Sequence, residues 1–69
     1  MLNIEGLKDA IKRSGIKKVY IAQQLGISYQ GYLRKENGIH DFTSSEVVKM
    51  RELLNLSNRQ VSEIFLNKK

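Results

Sequence analysis

The sequence predicts an all-α protein built as a compact five-helix bundle, and three observations lead to this prediction. Apolar residues recur at three- and four-residue intervals, whereas no segment alternates apolar and polar residues convincingly over the length of a half-buried strand. Proline is absent, and the five glycines fall mostly between the apolar-periodic stretches. Residues that commonly cap helices precede most of those stretches. At 69 residues the chain forms one domain, expected over residues 1–69 with a flexible tail at 67–69.

The first two helices are expected in the N-terminal third of the chain. The first begins after Asn3, whose side chain suits the N-cap position, and ends at Gly15. Its apolar stripe consists of Ile4, Leu7 and Ile11. The second helix runs from about Lys17 to Leu25 and is interrupted by Gly26. Its apolar residues are Val19, Ala22 and Leu25.

Capping and turn signals predict the other three helices. Ser28 caps a third helix of about eight residues, which ends at the turn dipeptide Asn37-Gly38 and is followed by a loop over 39–42. The segments 43–46 and 57–60 are capping-box sequences, which open the fourth and fifth helices. The apolar residues of these two helices are Val47, Met50, Leu53, Leu54, Val61, Ile64 and Phe65.

The charge balance favours a polyanionic partner. Twelve Lys and Arg against seven Asp and Glu give a net charge of +5 and a pI near 9.8. Seven bases and three acids give residues 1–38 a net charge of +4, whereas five bases and four acids give residues 39–69 only +1. We therefore expect the electrostatic surface in the N-terminal half.

Several classes of protein are excluded or disfavoured by the composition. Without cysteine the chain has no disulfide, no cysteine-based zinc site and no thiol nucleophile. The longest apolar run, 19–22, is far shorter than the roughly 20 residues that cross a bilayer, and no secretory leader is recognisable, which favours the cytoplasm. No catalytic triad, paired-carboxylate site or phosphate-binding Gly-rich loop can be assembled, and the lone His40 has no second metal ligand at suitable spacing. We expect neither an enzyme nor a cofactor, metal or small-molecule ligand.

The segment 17–38 carries the most functional information. Its two short helices meet through Gly26, Ile27 and Ser28 alone. So abrupt a turn needs a residue that adopts positive φ, which Gly26 supplies, and a small side chain where the helices cross, which Ala22 supplies. Ile27 is placed to enter the core. This is the geometry of a helix-turn-helix, whose second helix enters the major groove of DNA.

This segment resembles a known family of DNA-binding proteins. Residues 21–28, Ile-Ala-Gln-Gln-Leu-Gly-Ile-Ser, resemble the core motif of the phage Cro and lambda-repressor type, the Xre-like transcriptional regulators. Residues 36–38, Glu-Asn-Gly, resemble the Glu-x-Gly that closes the family's recognition helix, and the likeness extends over residues 4–66 to the smallest Cro-like members. The resemblance implies a lambda-repressor-like fold and a repressor that binds double-stranded operator DNA as a dimer and blocks polymerase by occlusion.

The family pattern also implies which residues contact DNA. If Tyr32 faces inward, the base-contacting residues are Tyr29, Gln30, Leu33 and Arg34. In the alternative the third helix is rotated, so that Leu33 enters the core and Tyr32 faces the groove. Gln30 and Arg34 have a simpler interpretation as ordinary surface residues. Gly31 costs about 1 kcal/mol in a helix relative to Ala, and either close approach of DNA or close packing on the second helix explains it.

Seven further residues are candidate phosphate contacts, although a solvated charge pair is the alternative for Lys17 and Lys18. We expect the Lys18 side chain to be exposed. The candidates are Lys17, Lys18, Gln23, Ser28, Lys35, Asn37 and His40.

A weak dimer is expected through the C-terminal apolar residues Ile64, Phe65 and Leu66. Packing of the fifth helix on its own core accounts for Ile64 or Phe65 but not for all three.

A different function remains open for the same scaffold: a protein-interaction module that modulates a partner repressor. The apolar character of Tyr29, Tyr32 and Leu33 on the third helix favours that alternative.

Overall fold

Five α-helices make up the computed structural model, which describes residues 2–66. They are α1 (Ile4–Ser14), α2 (Lys18–Leu25), α3 (Tyr29–Glu36), α4 (Ser44–Leu54) and α5 (Asn58–Phe65). Residues 2–66 contain no strand, so the all-α fold class is confirmed. The tail expected at 67–69 lies outside the described residues. No helix in this range is long and apolar enough to cross a membrane.

Local hydrogen bonds explain where four of the helices begin. Asn3 Oδ1 accepts the Gly6 N–H at 3.0 Å, and Ser28 Oγ accepts the Gly31 N–H at 3.0 Å. Thr43 and Ser57 each form a complete capping box at the start of α4 and α5. These four predicted caps are confirmed. In contrast, α2 begins after Lys17 without a side-chain cap, one residue later than predicted.

The core is formed by residues from all five helices and from the link between α4 and α5. Within residues 2–66, its ten buried apolar residues are Leu7, Ile11, Ile21, Ala22, Tyr32, Met50, Leu54, Leu56, Ile64 and Phe65. Tyr32, Phe42 and Phe65 form a chain of edge-to-face aromatic contacts, with ring centroids 6.3 and 5.3 Å apart. The radius of gyration, 10.8 Å, is close to the roughly 11 Å of a compact chain of this length.

The apolar face predicted for α2 is wrong at one position. Val19 is 49% exposed, whereas Ile21 is fully buried. The inward face of α2 runs through Ile21, Ala22 and Leu25, which recur at helical spacing and pack on the core. Because 19–22 is a continuous apolar run, its periodicity does not distinguish Val19 from Ile21.

Candidate functional site

A three-residue turn joins α2 to α3. Gly26 ends α2 at φ 72°, in the left-handed region that glycine adopts without steric cost. The Ile27 N–H donates to the Ala22 carbonyl at 3.1 Å, which closes the turn over the end of α2. Ala22 is buried and Ile27 is half-buried against the core. The positive φ predicted at Gly26 and the cap predicted at Ser28 are therefore both present.

Tyr32 and Glu36 fix the rotation of α3. They are its two buried residues, with Tyr32 at 0% and Glu36 at 1% exposure. Leu33 is only half-buried at the flank of the helix, so the inward orientation of Tyr32 is the one adopted. The apolar surface that favoured a protein-interaction module is correspondingly reduced, because Tyr29 alone of its three residues is exposed.

The side of α3 opposite to Tyr32 and Glu36 faces solvent. At about 100° per residue, Arg34 points away from the two buried residues, and Gln30 and Gly31 lie within about 60° of it on either side. Gln30 and Arg34 are exposed one helical turn apart. We call this side the outward face of α3; its residues are Gln30, Gly31, Arg34 and, just beyond the helix, Asn37.

The four candidate base-contacting residues thus have different surroundings. Gln30 and Arg34 occupy the outward face. Tyr29 is 45% exposed on the flank of the first turn, while Leu33 packs partly against the core. Gln30 and Arg34 are consequently the two side chains of this set that are presented most directly to a partner of α3.

An ion pair ties the beginning of α2 to the end of α3. The Lys18 ammonium donates to Glu36 Oε2 at 2.9 Å, and the Lys18 side chain is 36% exposed. The expected exposure of Lys18 is met only in part, because its ammonium is paired with a buried carboxylate. Sequence reasoning missed Glu36 as a partner, although its place one helical turn after Tyr32 puts it on the same inward face.

The interior between α2 and α3 contains two unpaired polar atoms. Glu36 Oε1 and Tyr32 Oη are buried and have no hydrogen-bond partner among residues 2–66. Burial, and then the negative charge of the Glu36 carboxylate, raise the pKa of Tyr32 far above its ordinary value. The phenol is therefore neutral at physiological pH, and the carboxylate relies on Lys18 for its compensation.

Lys35 is also engaged within the chain. Its ammonium donates to Glu46 Oε1 at 2.7 Å and to the Asp41 carbonyl at 3.0 Å, and its side chain is only 16% exposed. Partial burial raises the pKa of the Glu46 carboxyl, but hydrogen bonds from Lys35 and Thr43 and the Lys35 charge outweigh this, so the pKa lies below its ordinary value. This contact holds the loop after α3 against the start of α4.

The other candidate phosphate-contacting residues lie at the surface. They are Lys17, Gln23, Ser28, Asn37 and His40. Asn37 is partly constrained, because its Nδ2 donates to the Leu33 carbonyl at 2.8 Å. Ser28 already accepts the Gly31 N–H. Lys17 and Arg34 therefore supply exposed positive charge at the start of α2 and on the outward face of α3.

The C-terminal residues differ from the expected dimer surface. Ile64 is 6% and Phe65 is 9% exposed, so packing within the chain accounts for both of them. Leu66 alone of the three is well exposed, at 58%, and borders a surface groove of about 860 Å³. The apolar part of that groove is lined by Leu2, Ile4, Phe42, Val47 and Phe65.

Among residues 2–66, four other large apolar side chains are exposed that the sequence did not indicate as contact residues. They are Val19, Tyr20, Ile39 and Val48.

Comparison of the chain with protein-family models, with curated proteins and with solved structures finds no match. The interpretation of α2 and α3 therefore depends on their own residues and geometry, and on the motif resemblance of residues 21–28.

Proposed function

We propose that this chain is a sequence-specific, double-stranded DNA-binding transcriptional regulator, a small Cro-like repressor of phage or prophage type. The observation that carries the proposal is the outward face of α3. Tyr32 and Glu36 hold the helix by one side, which leaves Gln30 and Arg34 exposed directly after the three-residue turn from α2.

The dimensions and chemistry of α3 support this proposal. An α-helix with its side chains is about 10–12 Å in diameter, which the roughly 12 Å width of the major groove admits. Gln30 can pair with the N6 and N7 edge of adenine, and Arg34 with the O6 and N7 edge of guanine. Exposed positive charge at Lys17 and Arg34, within a chain of net charge +5, favours the approach of a polyanion.

The mechanism that follows is occlusion by a dimer in the cytoplasm. A single short recognition helix contacts few base pairs, so a regulator of this size needs a second copy on a half-site about one helical turn away. Leu66 and the groove beside it are the surface from which we expect that weak contact to form. Two copies covering the operator would block access of polymerase.

Titration of DNA binding against salt tests the proposal. The purified protein is mixed with the duplex upstream of its own gene, and the association constant is measured at several salt concentrations. Two subunits that each contact several phosphates should give log K against log salt a slope steeper than about −4. No binding to the duplex at low salt, or a flat slope, would reject the proposal and favour a protein-interaction module.

A further inference from the structure

Gly31 lacks a side chain at a position of α3 where helix propensity favours one. It occupies the third position of α3, on the outward face beside Gln30 and Arg34. Its φ is not positive, unlike that of Gly15, Gly26 and Gly38, so its backbone conformation is open to any residue. Glycine is disfavoured in a helix relative to alanine because it loses more conformational freedom on folding.

Packing against the other helices does not require the glycine. A Cβ atom at Gly31 would meet only one other side-chain or distant backbone atom within 4 Å, Ser28 Oγ at 3.0 Å, a tight contact that the serine side chain would have to relieve by a small shift. No atom of α2 lies within that distance, which rules out close packing on α2 as the reason for the glycine. Apart from the Ser28 contact, the Cβ would meet no other part of the protein, and it would lie on the side of α3 that carries Arg34.

The cap of α3 does not require the glycine either. In α5 a serine cap of the same kind, Ser57, accepts the Gln60 N–H at 3.1 Å, and Gln60 carries a full side chain at the equivalent position. Gly6, at the same position of α1, differs because its Cβ would come within 2.8 Å of the Asn3 amide nitrogen. Because the Ser57 cap of α5 accommodates a full side chain at this position, the contact with Ser28 Oγ does not by itself require glycine in α3.

We propose that Gly31 is a DNA-contact position, at which the bare backbone of α3 lets the edge of the groove approach more closely than any side chain would allow. The proposal rests on the DNA-binding function proposed above. The close approach seats α3 deeply enough for Gln30 and Arg34, on the same face, to reach base edges. Stability of the free protein is sacrificed here for binding, as is common at functional sites.

Two substitutions that should stabilise the free protein test this inference. Gly31→Ala improves helix propensity, and Gly31→Gln additionally completes a capping box with Ser28, as Gln60 does with Ser57. We expect the Tm of the free protein to rise by about 4 °C with Gly31→Ala and at least as much with Gly31→Gln. We expect affinity for the operator duplex at fixed salt to fall about tenfold with Gly31→Ala, and further with Gly31→Gln.

The reverse substitution at the equivalent place of α5, Gln60→Gly, is the matched control. It should lower the Tm and leave DNA affinity unchanged, because α5 is not part of the proposed DNA surface. If wild-type protein binds and both Gly31 variants bind within twofold of it, the inference is overturned while the proposed function stands. A lower Tm in Gly31→Ala also overturns it, since the fold itself would then need the glycine. Failure of wild-type protein to bind DNA would overturn both this inference and the proposed function.

Discussion

At the scale of single residues, Lys18 and Glu36 form the contact that ties the two helices of the candidate site together. Glu36 is almost completely buried, and the Lys18 ammonium 2.9 Å away is its ionic partner. Replacing only one member of such a pair leaves an uncompensated charge in the interior. Lys18 is thus as much a structural residue as a candidate phosphate contact, and phosphate binding would compete with Glu36 for the same ammonium.

We expect Lys18→Ala to destabilise the protein. Loss of one partner of a fully buried pair costs about 3–5 kcal/mol, and the partial exposure of Lys18 reduces this to about 1–3 kcal/mol. Lys17→Ala, the adjacent exposed lysine, is the matched control and should change the free energy of unfolding by less than about 0.5 kcal/mol. Urea unfolding of both variants measures the difference. Equal stabilities would contradict a structural role for the Lys18–Glu36 pair.

At the scale of helices, the sequence was most informative where the determining contacts are local. The caps Ser28, Thr43 and Ser57 bind amides three residues away, so the residue types themselves predict them. The Lys18–Glu36 pair joins residues 18 positions apart, and no local pattern announces it. The burial of Ile21 in place of Val19 likewise depends on which side of α2 meets the rest of the bundle.

In the candidate site, too, the sequence predicted the features that depend on local contacts and not those that depend on packing between helices. The motif at 21–28 predicted the turn and the existence of an exposed helix after it. The direction in which that helix faces depends on Tyr32 and Glu36 packing into the core. Sequence spacing alone allowed two rotations of the helix.

At the end of α5, both Ile64 and Phe65 are buried because the buried surface is wider than one helical stripe there.

Glu46 connects α3 and α4 in a pH-dependent way. The pKa of Glu46 is lower in the folded protein than its ordinary value of 4.5, so ionised Glu46 favours folding. This stabilisation is complete above pH 4.5 and is lost as the pH falls through the lowered folded-state pKa. We expect wild-type protein to be more stable than Glu46→Gln at pH 7, and the difference to shrink steadily below pH 4.5.

Thermal unfolding of the two proteins from pH 7 to pH 2 measures this difference. Glutamine keeps the capping box, as Gln60 does in α5, so the substitution isolates the charge and its contact with Lys35. Glu63→Gln, which alters an exposed pair with Arg59, corrects for the change in net charge. A difference that is independent of pH would show that the Glu46 charge does not contribute to folding.

At the scale of the whole molecule, a chain of 69 residues with one small core presents few surfaces for self-association. Leu66 stands out because it is exposed beside a groove that is partly apolar, whereas Ile64 and Phe65 are buried in the core. We expect Leu66→Ser to leave the fold intact but to weaken the second binding event on a duplex with two half-sites. Phe65→Ala, in contrast, should cost about 3–5 kcal/mol of folding stability.

Sedimentation of wild-type protein and Leu66→Ser, free and on a duplex with two half-sites, checks the dimer surface. The expected result is a two-to-one complex for wild type and a larger share of one-to-one complex for the variant. Wild-type protein that stays monomeric both free and on DNA would contradict dimerisation. A variant that matches wild type would place the contact elsewhere.

Binding-site selection from a random duplex library measures whether the outward face of α3 reads base sequence. Wild-type protein should select one consensus half-site. Gln30→Ala and Arg34→Ala should each lose about 1–3 kcal/mol on that site and relax the preference at one position of each half-site, without loss of folding because both side chains are exposed. If both variants select the wild-type consensus with unchanged preferences, α3 does not read DNA through this face.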